Sequence, residues 1–314
     1  MKLEFQMEDD EADAEKAVNA YNTLKDNGMK VFIGTVTTGA CLSVVSQTKA
    51  DNMFQITPSA SAAKVIANDN CFQVCFTDPN QGTASADYIA SKGLATKVAV
   101  IYNSSDAYSS GIYDNFKAEA AAKGLDLVAS EAFTGDSKQD FSSQLSKIKA
   151  SGAELIFLPI YYQEASLILS QAKNAGITAK FFGCDGLDGL LNIENFDKSL
   201  AENVMLLTPF AANATDETTK KFVAAYNAKY DPSTLNQFAA DAYDAVYIVK
   251  AAAEKAGVTG DISVSDICNA LKGAMTEITV DGVTGSGMTW KATGEVNKEP
   301  KAVKIENGEY QPMD

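Results

Sequence analysis

A two-lobed α/β protein is what this sequence predicts, and two observations carry the prediction. Short apolar, β-rich runs alternate with longer amphipathic stretches, and at 314 residues the chain exceeds the usual ~100–200 residues of one domain. The runs are VFIGTV, MFQITP, KVAVIYN, LDLVASEAF, AELIFLPIYY, AKFFGCDG and ENVMLLTPF. Between them lie TASADYIASKGL, GIYDNFKAEAAAKG, DFSSQLSKIKASG and EASLILSQAKNAG, each with helical periodicity. A strand–helix–strand rhythm predicts parallel sheets covered by helices on both faces. Gly93, Gly124, Gly152 and Gly176 stand where these helices should stop in a left-handed residue.

From Thr215 to Gly257 two long helices are expected, the second with an apolar stripe through Phe238, Tyr243, Val246, Val249 and Ala253. DISVSDICNALKGA then reads as a short helix, and the Gly-, Thr- and Val-rich remainder as irregular strands and turns.

Composition removes several classes of function. The 26 basic and 41 acidic side chains leave a net charge of −15, which repels nucleic acid and anionic lipid. Histidine is absent, and with it the commonest general base and metal ligand. No metal, cofactor or catalytic residue is expected. Five cysteines, at no metal-like spacing, read as buried thiols; Cys71 and Cys75 in CFQVCF fall on one face of a strand. No apolar run is long enough to cross a bilayer. Met1 is followed by the polar, alternating KLEFQME rather than a secretory signal, so the protein is either cytoplasmic or begins here after its export signal.

Phosphate-binding and nucleophile motifs fail on spacing. No GxxxxGK[ST] loop occurs, and GVTGSG at Gly282–Gly287 neither follows a strand nor opens a helix. No GxSxG elbow occurs around Ser286. The acid pairs Asp9/Asp10 and Asp185/Asp188 read as solvated surface rather than as glycosidase machinery.

In a doubly wound sheet, ligands bind beyond the carboxyl ends of the strands. Two such ends carry hydroxyls: Thr37-Thr38-Gly39 opens the helix ACLSVVSQTKA, and Ser59-Ala60-Ser61 opens AAKVIAND. Hydroxyls and free N–H groups at helix starts suit a carboxylate, although Ser and Thr are also the ordinary caps. Three other ends place Tyr108 at a helix start, Tyr161 and Tyr162 past a strand, and Asp185 in a Gly-flanked turn. A carboxylate walled by tyrosines suits an ammonium group, and ordinary loop decoration is the other reading. Together the two sets complement a zwitterion.

At these residues the chain resembles the leucine/isoleucine/valine-binding proteins, the type I periplasmic solute receptors of ABC importers. The likeness runs through EDDEADAEKAVNAYNTLKDNGMKVFIGTVTTG, ITPSAS, DPNQGTASADYI, AVIYNSSDAYSSG, DFSSQLSKIKASGAELIFLPIYYQEASLILSQAKNAG, FFGCDGL and FAADAYDAVYIV. It implies two Rossmann-like lobes, residues 1–77 with 209–293 and residues 78–208 with 294–314, joined by three crossovers. Those crossovers are expected near Phe76–Asp78, near Leu207–Pro209 and between Trp290 and Glu299.

The implied function is extracytoplasmic, in the periplasm or as a cell-surface lipoprotein: capture of a free amino acid, branched-chain or otherwise apolar, in the interlobe cleft for delivery to an ABC transporter permease. By motif position, Thr38, Ser59 and Ser61 hold the carboxylate. Tyr108 and Tyr161 are the second-lobe tyrosines, Asp185 stands where the family carries an acid for the ammonium, and Phe238 is an apolar wall. Asp185 is shorter than the Glu of close relatives. Family members also open with a strand and helix that this chain lacks. KLEFQME and VFIGTV are then expected to pair with each other or to be bridged by another chain, with a dimer through the first lobe as one outcome. A sensing receptor of the same fold, or an α/β enzyme on a small polar substrate, are the competing readings.

Overall fold

The computed structural model describes residues 3–313. In chain order its elements are α1 (Ala14–Asp26), β1 (Phe32–Ile33), α2 (Thr38–Ala50), β2 (Gln55–Thr57), β3 (Cys71–Gln73), α3 (Asp78–Ser91), β4 (Lys97–Asn103), α4 (Ala107–Ala122), β5 (Asp126–Phe133) and α5 (Ser142–Ser151). They continue through β6 (Leu155–Leu158), α6 (Tyr162–Asn174), β7 (Lys180–Gly183), β8 (Met205–Thr208), α7 (Glu217–Asn227), α8 (Gln237–Ala256), α9 (Val264–Met275), β9 (Lys301–Glu306) and β10 (Glu309–Pro312). The chain divides into two units, Met1–Thr77 with Phe238–Glu299 and Asp78–Gln237 with Pro300–Asp314.

In the first unit, β1, β2 and β3 form a parallel sheet in that order. Alternation sends neighbouring side chains to opposite faces. Phe32 meets Tyr21 of α1 edge-on at 5.3 Å, in a cluster with Ala17, Ala40 and Val44. Val31 and Ile33 pack on the other face, with Phe54, Ile56 and Phe72, against Ile248 and Val249 of α8 and Ile267 and Leu271 of α9. The irregular stretch expected before Glu299 is there: two isolated bridges, Val280–Met288 and Trp290–Val296, fold it onto the sheet, and the Trp290 indole donates to the Gln73 carbonyl at 2.7 Å. Gly294, at φ +86°, lies so close to this sheet that a Cβ would sit 2.3 Å from the Cys71 carbonyl oxygen.

In the second unit the sheet order is β10-β9-β8-β7-β6-β4-β5, parallel from β8 to β5 with β9 and β10 antiparallel at one end. Every residue of β6 is buried. Leu155 and Phe157 join the core beneath α3 and α4, while Ile156 and Leu158 join the one beneath α5 and α6. A strand buried on both faces has to be apolar throughout, which is why LIFL shows no alternation. Gly93, Gly124, Gly152 and Gly176 all adopt positive φ, as their helix-ending role requires.

Several expectations need correction. Leu3–Met7 of KLEFQME joins no ladder and Lys2 lies outside the described residues; β1 pairs only with β2 among these. Leu3–Gln6 and Val31–Ile33 instead line one groove of about 730 Å³. The helix expected after Ser61 is a single 3₁₀ turn, Ala63–Ile66. The boundary placed near 209 falls after Gln237, because residues 209–237 are tied to the second unit: Phe210 meets Phe222 edge-on, Asn192 donates to the Leu235 carbonyl, and Thr208 to the Gln237 side chain. Residues 294–299 lie in the first unit, where Gln73 N–H donates to the Gly294 carbonyl and Lys298 pairs with Asp241.

The inner face of α8 also differs. It runs through Asp241, Asp244, Ala245, Ile248, Val249, Ala252 and Ala253, leaving Tyr243 38% and Tyr247 50% exposed. Two aspartates lie inward because they are compensated there. Lys298 Nζ sits 3.3 Å from Asp241 and donates to the Thr284 hydroxyl, while Asp244 accepts the Val283 and Thr284 N–H groups and the Thr284 hydroxyl. All five cysteines are free and buried, and burial pushes the Cys41 and Cys268 thiols up to about 11. Cys75 lies two residues beyond β3 rather than within it.

Candidate functional site

Of the seven residues singled out from sequence, Thr38, Ser59, Ser61 and Phe238 belong to the first unit, and Tyr108, Tyr161 and Asp185 to the second.

In the first unit the chain leaves β1, caps α2 with Thr37 and enters the helix at Thr38. The Thr37 hydroxyl makes no capping bond. Leaving β2, the turn Ser59–Ser61 is held from three sides. Ala60 N–H donates to the Thr57 hydroxyl at 2.9 Å, Ser61 N–H to the Thr38 hydroxyl at 3.1 Å, and the Gln73 side chain to the Ala60 carbonyl at 2.8 Å. Thr38, Ser59 and Ser61 are therefore brought together, all buried.

Two hydroxyl oxygens are left over, and the Gln73 Oε1 with them. Ser61 Oγ and Thr37 Oγ1 are buried and meet no hydrogen-bonding partner among the described residues. Buried hydroxyls without partners are costly and rare. Beside them, the first N–H groups of α2 and the Thr38 hydroxyl hydrogen point to the same requirement: something that accepts hydrogen bonds, best an anion. Thr37 entered the sequence reading with Thr38 and Gly39 as a hydroxyl-bearing helix start, suited either to a carboxylate or to plain capping. Phe238, the second residue of α8, is only partly buried, as a wall for an apolar group has to be.

In the second unit, Tyr108 comes from the first turn of α4, Tyr161 caps α6, and Asp185 opens a 3₁₀ turn directly after β7. The three meet. The Tyr108 hydroxyl donates to Asp185 Oδ1 at 2.6 Å and accepts the Gly186 N–H at 2.9 Å, and the Tyr108 and Tyr161 rings stack with centroids 4.8 Å apart. Burial, reinforced by the neighbouring Asp185 charge, drives the Tyr108 phenol well above its ordinary pKa, so it stays protonated and stays a donor.

The backbone of Asp185 is fixed by residues that the sequence reading did not single out. Gln81 accepts its N–H at 3.3 Å, and Gln237 donates to its carbonyl at 2.7 Å. Gln237 is oriented in turn by Thr208, which donates to its side chain, and by Asp188, which accepts its N–H at 2.7 Å. Asp185 and Asp188 are both buried and engaged, so the solvated-surface reading of that pair was wrong: they belong to one polar network. The signal was the position of Gln237 at the start of α8, but contacts across 49 and 52 residues leave no local trace.

One half of these residues thus offers donors to a negative group and the other a buried carboxylate fenced by tyrosines. Among the described residues no group of three or more His, Cys, Asp or Glu side chains could hold a metal.

Comparison with known proteins gives a consistent picture. The sequence profile of a family described as periplasmic binding protein matches residues 1–309. A Leu/Ile/Val-binding protein homologue of Brucella melitensis biotype 1 is 32% identical over 263 residues, 83% of this chain and 70% of that protein. Among solved structures, a leucine-binding protein of Thermotoga maritima superposes with a TM-score of 0.86 at 25% identity, covering 98% of this chain and 85% of the other. A branched-chain amino acid transporter substrate-binding protein of Streptococcus pneumoniae, in complex with isoleucine, superposes with a TM-score of 0.83 at 26% identity, covering 97% and 84%.

Proposed function

Because the chain belongs to the periplasmic binding proteins, and among them to the Leu/Ile/Val-binding family, we propose that it captures a free branched-chain or other apolar amino acid for an ABC transporter permease. It is a solute-binding protein and not an enzyme, and the family sets it outside the cytoplasm. No described helix is long and apolar enough to cross a membrane.

The carboxylate of the amino acid goes to the Thr38, Ser59 and Ser61 turns with the N-terminus of α2, and the ammonium to Asp185 with Tyr108 and Tyr161 alongside. Phe238 meets the side chain. The observation that carries this reading is the pair of buried, partnerless hydroxyls on Ser61 and Thr37. They make sense where an acceptor arrives with the ligand. Of the seven residues assigned to the amino acid, Asp185 alone carries a charge, which matches a ligand whose side chain is apolar.

Calorimetric titration with L-leucine, L-isoleucine and L-valine tests it. Saturable binding of at least one is expected, and Asp185→Ala removes a charge-assisted bond of about 1.5–3 kcal/mol, roughly a ten- to hundredfold weakening. The absence of heat with every proteinogenic amino acid, on folded protein, would refute the proposal.

A further inference from the structure

The ladder between the parallel strands β7 and β8 ends where Gly183 pairs with Leu206. Two residues further on, Asp185 has opened its 3₁₀ turn, whereas Thr208 still belongs to β8 and pairs with Lys301 on its other side. The buried side chain of Gln237 bridges these two strand ends. Its amide donates to the Asp185 carbonyl at 2.7 Å, and its oxygen accepts the Thr208 hydroxyl at 2.9 Å. A carbonyl can only accept, so the NH2 end has to face Asp185 and the Thr208 hydroxyl has to be the donor at the other end.

Gln237 is anchored at its backbone as well. Its N–H donates to Asp188 Oδ2 at 2.7 Å, and it is the last residue of the second unit before the chain enters the first. A side chain bonded at its tip and held at its root acts as a strut. The amide is not needed to satisfy either partner, because the Asp185 carbonyl also accepts the Asp188 N–H at 2.9 Å and the Thr208 hydroxyl has the Phe210 carbonyl at 3.1 Å. It adds position instead. An aspartate carries its carboxylate on a single methylene, so the place of its oxygens follows the backbone closely. Asp185 Oδ1 is engaged by Tyr108, and a displaced turn could not be corrected by rotating the side chain to another well without giving up that bond.

We propose that Gln237 is a positioning residue for the ammonium contact, setting the depth of the Asp185 carboxylate without itself touching the ligand. The inference rests on the assignment of the ammonium to Asp185.

The test uses the full chain, the variant Gln237→Leu, and two ligands with one carbon skeleton, L-leucine and 4-methylpentanoate, the second of which lacks the ammonium. The ratio of their dissociation constants, measured by calorimetry, reads the ammonium contact. In Gln237→Leu, L-leucine is expected to bind about tenfold more weakly and 4-methylpentanoate equally well, so the ratio falls about tenfold. A ratio that stays at its wild-type value, whether both ligands weaken together or neither does, overturns the proposal. A second arm serves if the desamino acid binds too weakly to titrate. In the Asp185→Ala background, Gln237→Leu is expected to cost L-leucine nothing further, since no carboxylate is left to misplace, and an equal loss in both backgrounds overturns the proposal. Failure of the wild-type protein to bind L-leucine would be seen before any variant is made, and it tells against the amino-acid reading and this inference together.

Discussion

Tyr108 and Asp185, 77 residues apart in sequence, share a buried 2.6 Å hydrogen bond in which the phenol donates to the carboxylate. The same phenol oxygen accepts the Gly186 N–H, so one hydroxyl fixes both the side chain and the turn of the proposed ammonium site. Tyr108→Phe leaves a buried carboxylate oxygen and a buried N–H short of a partner. The expected cost to stability is about 1–3 kcal/mol, read by chemical denaturation, with weaker amino-acid binding read by calorimetry.

Gly186 is required by that geometry. A Cβ there would lie 2.6 Å from the Tyr108 hydroxyl and 2.7 Å from the Ile160 carbonyl oxygen, and the second is backbone that cannot swing aside. Gly186→Ala is expected to destabilise by about 1–3 kcal/mol and to weaken binding more than an alanine at the exposed Gly260 does, since only the former displaces Tyr108.

How far the sequence could be read follows from what each feature depends on. The second-unit strands declare themselves because burial on both faces demands runs such as LIFL and KVAVI, and the α-helix ends because positive φ favours glycine. Thr38, Ser61, Tyr108 and Asp185 were legible as strand-end residues, since the doubly wound topology fixes where such ends lie. The inner face of α8 was not. Asp241 is buried where Lys298, 57 residues away, reaches it, and a contact of that span leaves no local trace. KLEFQME alternates like a strand, but a ladder needs a neighbour, and alternation says nothing about one.

Asp241 makes the stability of the first unit depend on pH. Burial, with Asp244 adding to it and Lys298 opposing, raises its carboxyl from 3.8 to about 6. A raised carboxyl holds its proton in the folded state after the unfolded chain has lost it. Its contribution is thus full below about pH 4 and is lost as pH rises toward 6. Relative to Asp241→Asn, the wild-type protein is expected to lose about 3 kcal/mol between pH 4 and pH 7, and parallel profiles would contradict the assignment.

Among the described residues, Lys298 is the only basic side chain in an ion pair with Asp241. Lys298→Met removes the cation while Asp241 and Asp244 stay buried, and an unpaired buried charge costs about 3–5 kcal/mol. Adding Asp241→Asn to Lys298→Met removes one of the stranded charges, and the double variant is expected to be more stable than Lys298→Met alone at pH 7. A double variant no more stable than the single one would show that Lys298 acts through packing of its stem instead.

Ser61→Ala separates folding from binding. Ser61 Oγ is buried and meets no partner among the described residues, so the unliganded fold bears the cost of a desolvated hydroxyl and gains nothing from it. The Ser61 N–H bond to Thr38, by contrast, is made by the backbone and survives the substitution. Removing the hydroxyl is expected to leave the unliganded protein equally stable or up to about 1 kcal/mol more stable. Binding moves the other way: a carboxylate that has lost one donor is held about 1–2 kcal/mol less tightly, a five- to thirtyfold rise in the dissociation constant, roughly. Thermal unfolding with and without L-leucine measures both, as a higher midpoint alone and a smaller ligand-induced shift. A lower midpoint without ligand would mean that Ser61 serves the fold rather than the amino acid.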